Sequence, residues 1–521
     1  MRHRLAVLIA AILVAGTAAA EETRPIVTTA YGAVRGVATE RAEVFWGLPY
    51  AASPVGGLRW VAPQKPAAWD GVLDADTRPP MCMQAPRPGE DRVRGESGVS
   101  EDCLYLNVWR PKGTEPGDDL PVMVWIHGGS FLVSSGAVWR FDGEHLVQRD
   151  VVLVTLNYRL GLFGSFAHPA LEAEQAGRPR GHYGLLDQIA ALEWVQGNIA
   201  AFGGDPDNVT IFGNSAGGAS VNALLIAPQA RGLFHRAIAQ SGGIRVEDTV
   251  HLTEQGPSPF ATPLIATGIR LGEELGAENA EALRALPAEA ILAWQARSPG
   301  PYGPVIDGVT LTERFAKPFV TGDIADVDLM FGVDSWEGSI LEDIPIPPDV
   351  YLKSFVGVDE VRAAFGNPSD REMMSIMFQD KTFVAGARFL ARHAAKNGRD
   401  VYLYHFSYRP TAARGDGLPG AAHSDEVAFV FGVLPGPITT RKPLSETDIS
   451  GEDRAMADAM ADYWTNFAKT GNPNGKGLPK WPRYTAANDM WMDLGTEIAP
   501  LPGFRADDMN FWDARFLKDL Q

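Results

Sequence analysis

Residues 213–217 carry the strongest chemical signal in the sequence, a G-x-S-x-G pattern with Ser215 at its centre. The apolar run 209–212 before it is typical of a buried strand, and residues 219–225 after it are compatible with a helix. In this context the pattern places a nucleophilic serine on a tight turn, because the flanking glycines let strand and helix approach closely. An ordinary turn with a capping serine would also fit, so partner groups are needed to decide.

A second motif supplies candidate donors for the negative oxygen that forms when a serine attacks a carbonyl group. Residues 127–131, His-Gly-Gly-Ser-Phe, follow the apolar run 122–126 directly. Glycines at this place allow backbone N–H groups to face a ligand. A simple glycine-rich turn is the alternative, but it does not explain why the turn comes one supersecondary unit before Ser215.

Serine catalysis also needs a histidine base, which follows the nucleophile and the acid in chain order in this kind of site. Three histidines lie far enough after Ser215 to be considered. His393 lies in a helical pattern, and His405 ends a strand-like run. His423 lies in a loop of small residues after the last buried strand, from which an imidazole can reach over the sheet edge. We therefore favour His423.

Two carboxylates could orient that histidine. Asp334 and Glu337 both follow the strand-like run 328–331, so both would lie at its carboxyl end. Position along the chain does not separate them, and the choice stays close to even.

The elements that must position these groups indicate an α/β fold. Five short apolar runs predict strands buried on both faces, as a central and mostly parallel sheet requires: 122–126, 151–154, 209–212, 328–331 and 401–404. A helix face between two of them is formed by Ile189, Leu192, Val195, Ile199 and Phe202. The length of 521 residues alone would allow several domains. Since no linker divides the chain, we predict one elaborated domain, with a mostly helical cap from roughly 245 to 400.

Composition narrows the function classes. The 64 acidic against 46 basic residues give a net charge of −18, which argues against nucleic acid or an anionic membrane as partner. Residues 1–20 are typical of a secretory signal, with Arg2 and Arg4 before an apolar run that is too short to span a bilayer. We therefore predict a secreted or periplasmic protein whose mature chain is 21–521.

Cysteine usage agrees with export. The chain has two cysteines, Cys82 and Cys103, which excludes a disulfide-rich small fold and a four-cysteine zinc site. In an exported protein two cysteines most simply form one disulfide.

With these residues in view, the chain resembles the type-B carboxylesterases, a family of α/β-hydrolases that includes cholinesterases and para-nitrobenzyl esterases. The resemblance covers nearly the whole mature chain and includes the turn 127–131 and the motif around Ser215. The further matching segments are 45–51, 100–108, 157–161, 184–188, 202–206, 304–308, 464–471 and 481–484. It implies the α/β-hydrolase fold, a central sheet flanked by helices with a cap formed by long insertions.

The resemblance also implies a role for each candidate residue. It implies Ser215 as nucleophile, Glu337 as acid and His423 as base. The N–H groups of Gly129, Ser130 and Ala216 are implied as oxyanion donors. Further positions carried over from the family are a Cys82–Cys103 disulfide, an ion pair between Glu101 and Arg159, and Ser241 and Glu426 as supports of the histidine, although these two could equally be ordinary buried polar groups.

Three positions depart from the family pattern. Asn214 stands where the residue before the nucleophile is usually glutamate, Ser130 replaces a third glycine, and Trp336 replaces a common acidic residue. These changes predict a less anionic pocket, and Asn214 could suit an ester that carries carboxylates, although simple family variation is favoured. No tryptophan lies in the segment 83–102, which argues against a quaternary ammonium substrate.

These observations predict a secreted serine hydrolase of small carboxylic esters that works through an acyl-enzyme and needs no metal or organic cofactor. A lipase that acts on long-chain esters is the alternative within enzymes. A non-catalytic adhesion or binding protein on the same fold is the alternative outside them, and the presence of all three catalytic candidates argues against it. The oligomeric state and the natural substrate are left open.

Overall fold

A computed structural model describes residues 24–85, 98–243, 250–254, 262–298, 302–343, 346–353, 355, 357–434 and 444–520. The predicted signal segment 1–20 therefore lies outside the described residues.

The centre of the described structure is one sheet of 11 strands. In chain order they are β1 Val37–Ala38, β2 Ala42–Pro49, β3 Tyr105–Pro111, β4 Leu120–Ile126, β5 Val152–Leu156, β6 Gly204–Asn214, β7 Arg236–Gln240, β8 Asp328–Asp334, β9 Val401–Phe406, β10 Met490–Leu494 and β11 Ile498–Pro502. All five strand-like runs of the sequence correspond to strands of this sheet: four lie wholly within β4, β6, β8 and β9, and 151–154 starts one residue before β5. The predicted central sheet is thus present.

The strand order across the sheet is β11-β10-β9-β8-β7-β6-β4-β5-β3-β2-β1. The strands from β4 to β10 form a parallel block, and β3, β2, β1 and β11 pair antiparallel at its two sides. Parallel strands present their carboxyl ends at one edge. Catalytic loops of open α/β sheets gather at that edge, which here includes the ends of β4, β6, β7, β8 and β9.

The apolar runs are buried on both faces of the sheet because side chains of a strand alternate in direction. In β4, Val122, Val124 and Ile126 belong to one core, whereas Met123 and Trp125 belong to the core on the opposite face. The sheet is therefore the middle layer between two packed helical layers, which is why its strands read as continuous apolar sequence.

Six helices are used below and are named in chain order: α1 Tyr183–Asn198, α2 Ala216–Ile226, α3 Ala385–Lys396, α4 Asp425–Val430, α5 Gly451–Thr470 and α6 Ala506–Asp519. Apolar residues of α1, α2, α3 and α6 pack into the first core, and those of α4 and α5 pack into the second. The predicted face of Ile189, Leu192 and Val195 lies in α1 and is buried, while Ile199 and Phe202 continue it in a short 3-10 turn.

The remaining elements are short. Further α-helices are Glu144–Val147, Gly161–Gly164, Pro169–Gln175, Leu264–Leu275, Ala280–Ala285, Ala288–Arg297, Ala316–Thr321, Pro348–Leu352, Val358–Ala364 and Asp370–Ser375, followed by a π-helix at Ile376–Val384. The 3-10 turns are Gly56–Leu58, Trp139–Phe141, Ile199–Phe202, Pro228–Ala230, Glu337–Asp343, Thr411–Ala413 and Glu446–Asp448. Small sheets pair Ile26–Thr29, Gly32–Arg35 and Val72–Asp74, then Met81–Cys82 with Val99–Ser100, and Val250–His251 with Val305–Ile306.

The region expected to form a cap is mostly helical, but it is not one continuous insertion. Strand β8 at Asp328–Asp334 runs through it and pairs with β7 and β9 inside the central sheet. Helix α3, also inside the predicted range, packs on β8 and β9 as part of the main layer. The helical insertions therefore lie on both sides of a core strand that carries two candidate catalytic acids at its carboxyl end.

Two expectations about cross-links have different outcomes. Cys82 and Cys103 form a disulfide, which closes a loop and contributes about 3 kcal/mol on the loop-entropy model. The expected ion pair between Glu101 and Arg159 is wrong. Arg159 pairs with the buried Asp187 at 2.7 Å, and Glu101 pairs with Arg59, because each carboxylate meets a nearer guanidinium.

No helix within the described ranges combines the length and the apolar character that a membrane crossing requires.

Candidate active site

The serine of the G-x-S-x-G motif lies at the junction of β6 and α2. Ser215 has φ 57° and ψ −122°, a conformation that costs a non-glycine residue roughly 1–3 kcal/mol. Its N–H donates to the carbonyl oxygen of Gln240 at 2.9 Å, and its own carbonyl accepts from Ala219 at 2.8 Å. These two hydrogen bonds stabilise the strained turn. Ser215 is partly exposed at the carboxyl edge of the sheet.

The glycines of the motif are required by close packing against β4. A Cβ atom at Gly217 would lie 1.9 Å from the carbonyl oxygen of Ile126, and one at Gly213 would lie 2.6 Å from the same atom. Neither distance is possible for a carbon atom beside an oxygen. Any larger residue would therefore push α2 away from the sheet and move Ser215.

The glycine-rich turn after β4 lies directly beside the serine. A Cβ atom at Gly128 would lie 3.2 Å from Cβ of Ser215, which shows how near the two turns are. Gly129, Ser130 and Phe131 have φ of 109°, 57° and 59°, and the carbonyl of Gly129 accepts from two later N–H groups of the turn. Within the described part of the chain, the N–H groups of Gly129, Ser130 and Ala216 donate to no acceptor.

His127 stabilises this turn from the protein interior. It is buried and stacks on Tyr158 with ring centroids 4.4 Å apart, and its Nδ1 lies 2.7 Å from the carbonyl oxygen of Gly128. Burial lowers the pKa of His127 to about 4, so the neutral ring donates that hydrogen bond. The N–H of Gly129 belongs to the same trans peptide plane and therefore points the opposite way from the Gly128 carbonyl.

His423 lies in the loop between β9 and α4. Its Nδ1 is hydrogen-bonded to Oε2 of Glu337, and its backbone N–H donates to Oγ of Ser339 at 2.9 Å. Phe383 packs against the imidazole with ring centroids 5.2 Å apart. Nε2, the other ring nitrogen, is buried without a hydrogen-bond partner among the described residues.

Glu337 is 0% exposed and has both oxygens occupied. Oε1 accepts from Oγ of Ser241 at 2.6 Å and from the N–H of Asp334 at 2.9 Å, while Oε2 meets the imidazole of His423. Asp334, the other acid left open by the sequence, accepts instead from the N–H of Ser424 at 2.7 Å. Glu337 is therefore the carboxylate that is hydrogen-bonded to the imidazole of His423.

Opposing effects act on the imidazole. Burial lowers the pKa of His423, but the charge of Glu337 and its hydrogen bond, with the charges of Glu426 and Asp425, together hold that pKa above its ordinary value. The protonated form of His423 is thus stabilised by the carboxylates around it.

The hydrogen bonds of Asn214 and Glu426 within the described residues go to groups other than the histidine ring. The Asn214 amide donates to Glu426 at 2.6 Å and accepts from Oγ of Ser424 at 2.6 Å, so both of its polar atoms are used inside the protein. Glu426 also accepts from Gln240 at 3.1 Å. Asn214 therefore joins the serine turn to the histidine loop.

The other two candidate histidines contact different residues. His393 lies in α3 with its ring 4.5 Å from that of Phe389, and burial lowers its pKa to about 4. His405 lies in β9, where Nδ1 is 3.0 Å from Asp493 of β10.

Several contacting residues escaped the sequence analysis: Gln240, Ser339, Phe383 and Ser424. Gln240 could have been found, since it ends the strand beside β6 at the same sheet edge. Phe383 and Gln379, which accepts from the N–H of Gly338 at 3.1 Å, come from the π-helix Ile376–Val384. Such helices are rare and frequent at functional sites, but they have no sequence signature.

One group of described residues could be considered for a metal ion: ligand atoms of Asp334, Glu337 and His423 lie within 4.8 Å of one another. Both oxygens of Glu337 and Oδ2 of Asp334 already accept hydrogen bonds, from Ser241, Ser424 and the imidazole N–H among others. This donor set fits a relay of hydrogen bonds better than a cation site.

Comparison with known proteins gives consistent matches. A family model described as the carboxylesterase family matches residues 23–356 and 362–512. A medium-chain fatty acyl-CoA hydrolase precursor of Anas platyrhynchos is 36% identical, covering 97% of this chain and 96% of the relative. The para-nitrobenzyl esterase of Bacillus subtilis (strain 168) is 36% identical over 91% and 96% of the two chains. A solved PNB esterase structure has a TM-score of 0.81 at 33% identity, with 94% and 99% coverage.

Proposed function

The chain belongs to the carboxylesterase family, and we propose that it hydrolyses carboxylic esters through an acyl-enzyme on Ser215, with His423 as base and Glu337 as its acid. Its family membership, its α/β-hydrolase fold and its identity as a carboxylic ester hydrolase confirm the predictions made from the motifs. The observation that carries the mechanism is the hydrogen bond from the His423 ring to the fully buried Glu337.

In the first half-reaction, Nε2 of His423 takes the proton of Ser215 while Oγ attacks the ester carbonyl carbon. The tetrahedral oxyanion is bound by the N–H groups of Gly129, Ser130 and Ala216, which have no internal acceptor in the described structure. His423 then gives its proton to the leaving alcohol as the carbon–oxygen bond breaks. In the second half-reaction, His423 removes a proton from water as the water oxygen attacks the acyl carbon, then gives that proton to Oγ of Ser215 as the bond between Oγ and the acyl carbon breaks and the acid is freed.

Glu337 supports both halves of the cycle. Its Oε2 accepts from Nδ1–H of His423, which fixes the tautomer that leaves Nε2 able to accept a proton. Ser241 and the N–H of Asp334 hold the other oxygen, so the carboxylate cannot rotate away. Its charge stabilises the imidazolium formed in each half-reaction.

We further propose export of the protein, with 1–20 as signal and 21–521 as one domain that includes the cap. The disulfide between Cys82 and Cys103 supports this, since such bonds persist in oxidising compartments. The substrate class is a small-molecule ester, and every step above is assigned to groups of the chain itself.

The value of kcat/KM is expected to rise with pH with a midpoint above about 6.5, the ordinary pKa of histidine. Attack needs neutral His423, and the surrounding carboxylates hold the pKa of His423 above that value, so the base stays protonated to higher pH. The check is a pH profile of kcat/KM with a neutral para-nitrophenyl ester. A midpoint below 6.5 would contradict a carboxylate-stabilised imidazolium.

A diisopropyl fluorophosphate probe is expected to inactivate the folded protein by covalent attachment to Ser215. The reagent needs a serine activated by a base, so heat-unfolded protein is the control and should not react. Peptide mapping by mass spectrometry identifies the modified residue. Modification of Ser220 or Ser241 instead, or none at all, would remove Ser215 as nucleophile and with it the proposed mechanism.

A further inference from the structure

A pair of buried carboxyl groups lies beside the catalytic residues and has no assigned role in the reaction. Asp334 ends strand β8 and is 1% exposed, and Glu426 lies in α4 and is 0% exposed. They lie in one cluster, since Ser424 donates its N–H to Asp334 and reaches Glu426 through the side chain of Asn214, and the charge of Glu426 acts on Asp334. Two ionised carboxylates cannot hydrogen-bond to each other, because neither has a proton to donate.

The hydrogen bonds around the two carboxyl groups show which of their oxygen atoms already have donors. Oε1 of Glu426 accepts from Asn214 at 2.6 Å and from Gln240 at 3.1 Å, and Oδ2 of Asp334 accepts from the N–H of Ser424 at 2.7 Å. Oδ1 of Asp334 and Oε2 of Glu426 are buried and have no donor among the described residues. A single proton between these two oxygens would satisfy both of them.

We infer that Asp334 is a neutral carboxylic acid at neutral pH, and that its proton bridges Oδ1 to Oε2 of an ionised Glu426. Glu426 is the better anion because two side-chain donors reach its Oε1, whereas Asp334 receives one backbone N–H. The arrangement is that of carboxyl pairs that share one proton because two adjacent negative charges cannot both be maintained in a buried site.

The surrounding charges favour the same assignment. Besides Glu426, the groups that face Asp334 are Glu337 and Asp425, and burial followed by their negative charges raises the pKa of Asp334 well above its ordinary value. Burial also raises the pKa of Glu426, which the nearby His423 lowers in part. Tyr404 of β9 faces the same cluster, and burial followed by these carboxylates keeps its phenol neutral by raising its pKa.

The shared proton closes a ring of hydrogen bonds around the active site. Ser424 donates its N–H to Asp334 and its hydroxyl to Asn214, Asn214 donates to Glu426, and Asp334 donates to Glu426. The ring ties the serine turn, the end of β8 and the histidine loop together. Ser424 follows His423 directly and has φ 75°, so fixing Ser424 fixes the imidazole. Asp334 is thus a positioning residue.

Infrared spectroscopy tests the proton without any need for activity. The difference spectrum of wild type minus Asp334→Asn at pH 7 is expected to contain the C=O stretching band of a protonated carboxyl group. Asp349→Asn, which removes an exposed aspartate paired with Lys353, is the matched control and should give only carboxylate bands. A wild-type minus Asp334→Asn spectrum with carboxylate bands alone would overturn the inference.

Kinetics test the positioning role, which rests on the proposed function. Asp334→Ala is expected to lower kcat on the order of tenfold, because it leaves the N–H of Ser424 and Oε2 of Glu426 without a partner. Asp334→Asn should recover most of this loss, since an amide reproduces both the donor and the acceptor of the neutral acid. Equal losses in the two variants would contradict the role.

The pH profile separates the two charge states of Asp334. If Asp334 is neutral, Asp334→Asn changes no charge, and the midpoint of kcat/KM stays at its wild-type position. A midpoint displaced to lower pH would mean that a negative charge had been removed, and would overturn the inference even if Asp334→Ala fails to fold. Failure of the proposed function would appear separately, as loss of covalent labelling at Ser215 with the infrared band intact.

Discussion

Replacement of Ser215 by alanine is expected to lower kcat for ester hydrolysis by a factor on the order of 10⁴ or more. In the proposed mechanism the hydroxyl oxygen forms the acyl-enzyme, and without it the N–H donors can only assist direct attack by water. The Ser215 side chain makes no hydrogen bond within the described residues, so its loss removes no structural contact. Thermal unfolding should therefore stay close to wild type while turnover collapses.

Ser220→Ala is the matched control for this variant. Ser220 lies five residues after Ser215, in helix α2. It is 0% exposed, and its hydroxyl accepts a hydrogen bond from the side-chain amide of Gln188 at 3.0 Å. Its loss should cost about 1 kcal/mol of unfolding free energy but little turnover. Steady-state kinetics and thermal melts on both variants are the measurements. Ester turnover retained in Ser215→Ala would contradict the covalent mechanism.

Replacement of Glu337 by glutamine is the second large effect, with an expected loss in kcat of roughly 10³ to 10⁴. Ser241 and the N–H of Asp334 donate to one oxygen of Glu337 and would hold the glutamine carbonyl in the same place. The amide NH₂ would then face Nδ1 of His423, which must become an acceptor. The ring proton moves to Nε2, so His423 can no longer accept the serine proton.

The pH profile adds a second signature to Glu337→Gln. The charge of Glu337 is a main cause that raises the pKa of His423, so the midpoint of the residual kcat/KM should move to lower pH. Asp334→Asn is the matched comparison, because it also converts a buried acid to its amide on the same turn but does not contact the imidazole. Similar losses and similar midpoints in the two variants would mean that Glu337 is not the acid.

The sequence indicated Ser215 and the turn 127–131 as candidate nucleophile and oxyanion donors because both motifs are local. The strand, the tight turn and the helix around Ser215 lie within the consecutive residues 204–226, and close contact with Ile126 requires glycine at 213 and 217. The buried strands were equally readable, since a parallel sheet covered on both faces needs uninterrupted apolar runs. The single disulfide followed from the presence of two cysteines, and export stays a prediction from the first twenty residues.

The sequence alone predicts the partners of Ser215 less well, because these residues are far apart in the chain and come together only when the sheet forms. Glu337 and His423 are separated by 86 positions, and Asn214 and Glu426 by 212. Asp334 and Glu337 have the same residue chemistry and nearly the same place in the chain. Which of them faces the histidine depends on the direction in which the turn after β8 points each side chain.

The tertiary structure also adds to the expectation about charge near the serine. Asn214 does remove a carboxylate beside Ser215, but Asp334, Glu337, Asp425 and Glu426 surround the histidine loop as buried acids. The net charge of these four acids depends on which of them are protonated, and burial and mutual repulsion determine their protonation. By itself the sequence determined the motifs, the strands and the family. Only the folded chain decided which acid holds His423 and how the carboxylates share protons, because both depend on distances between residues that parallel strands bring to one edge.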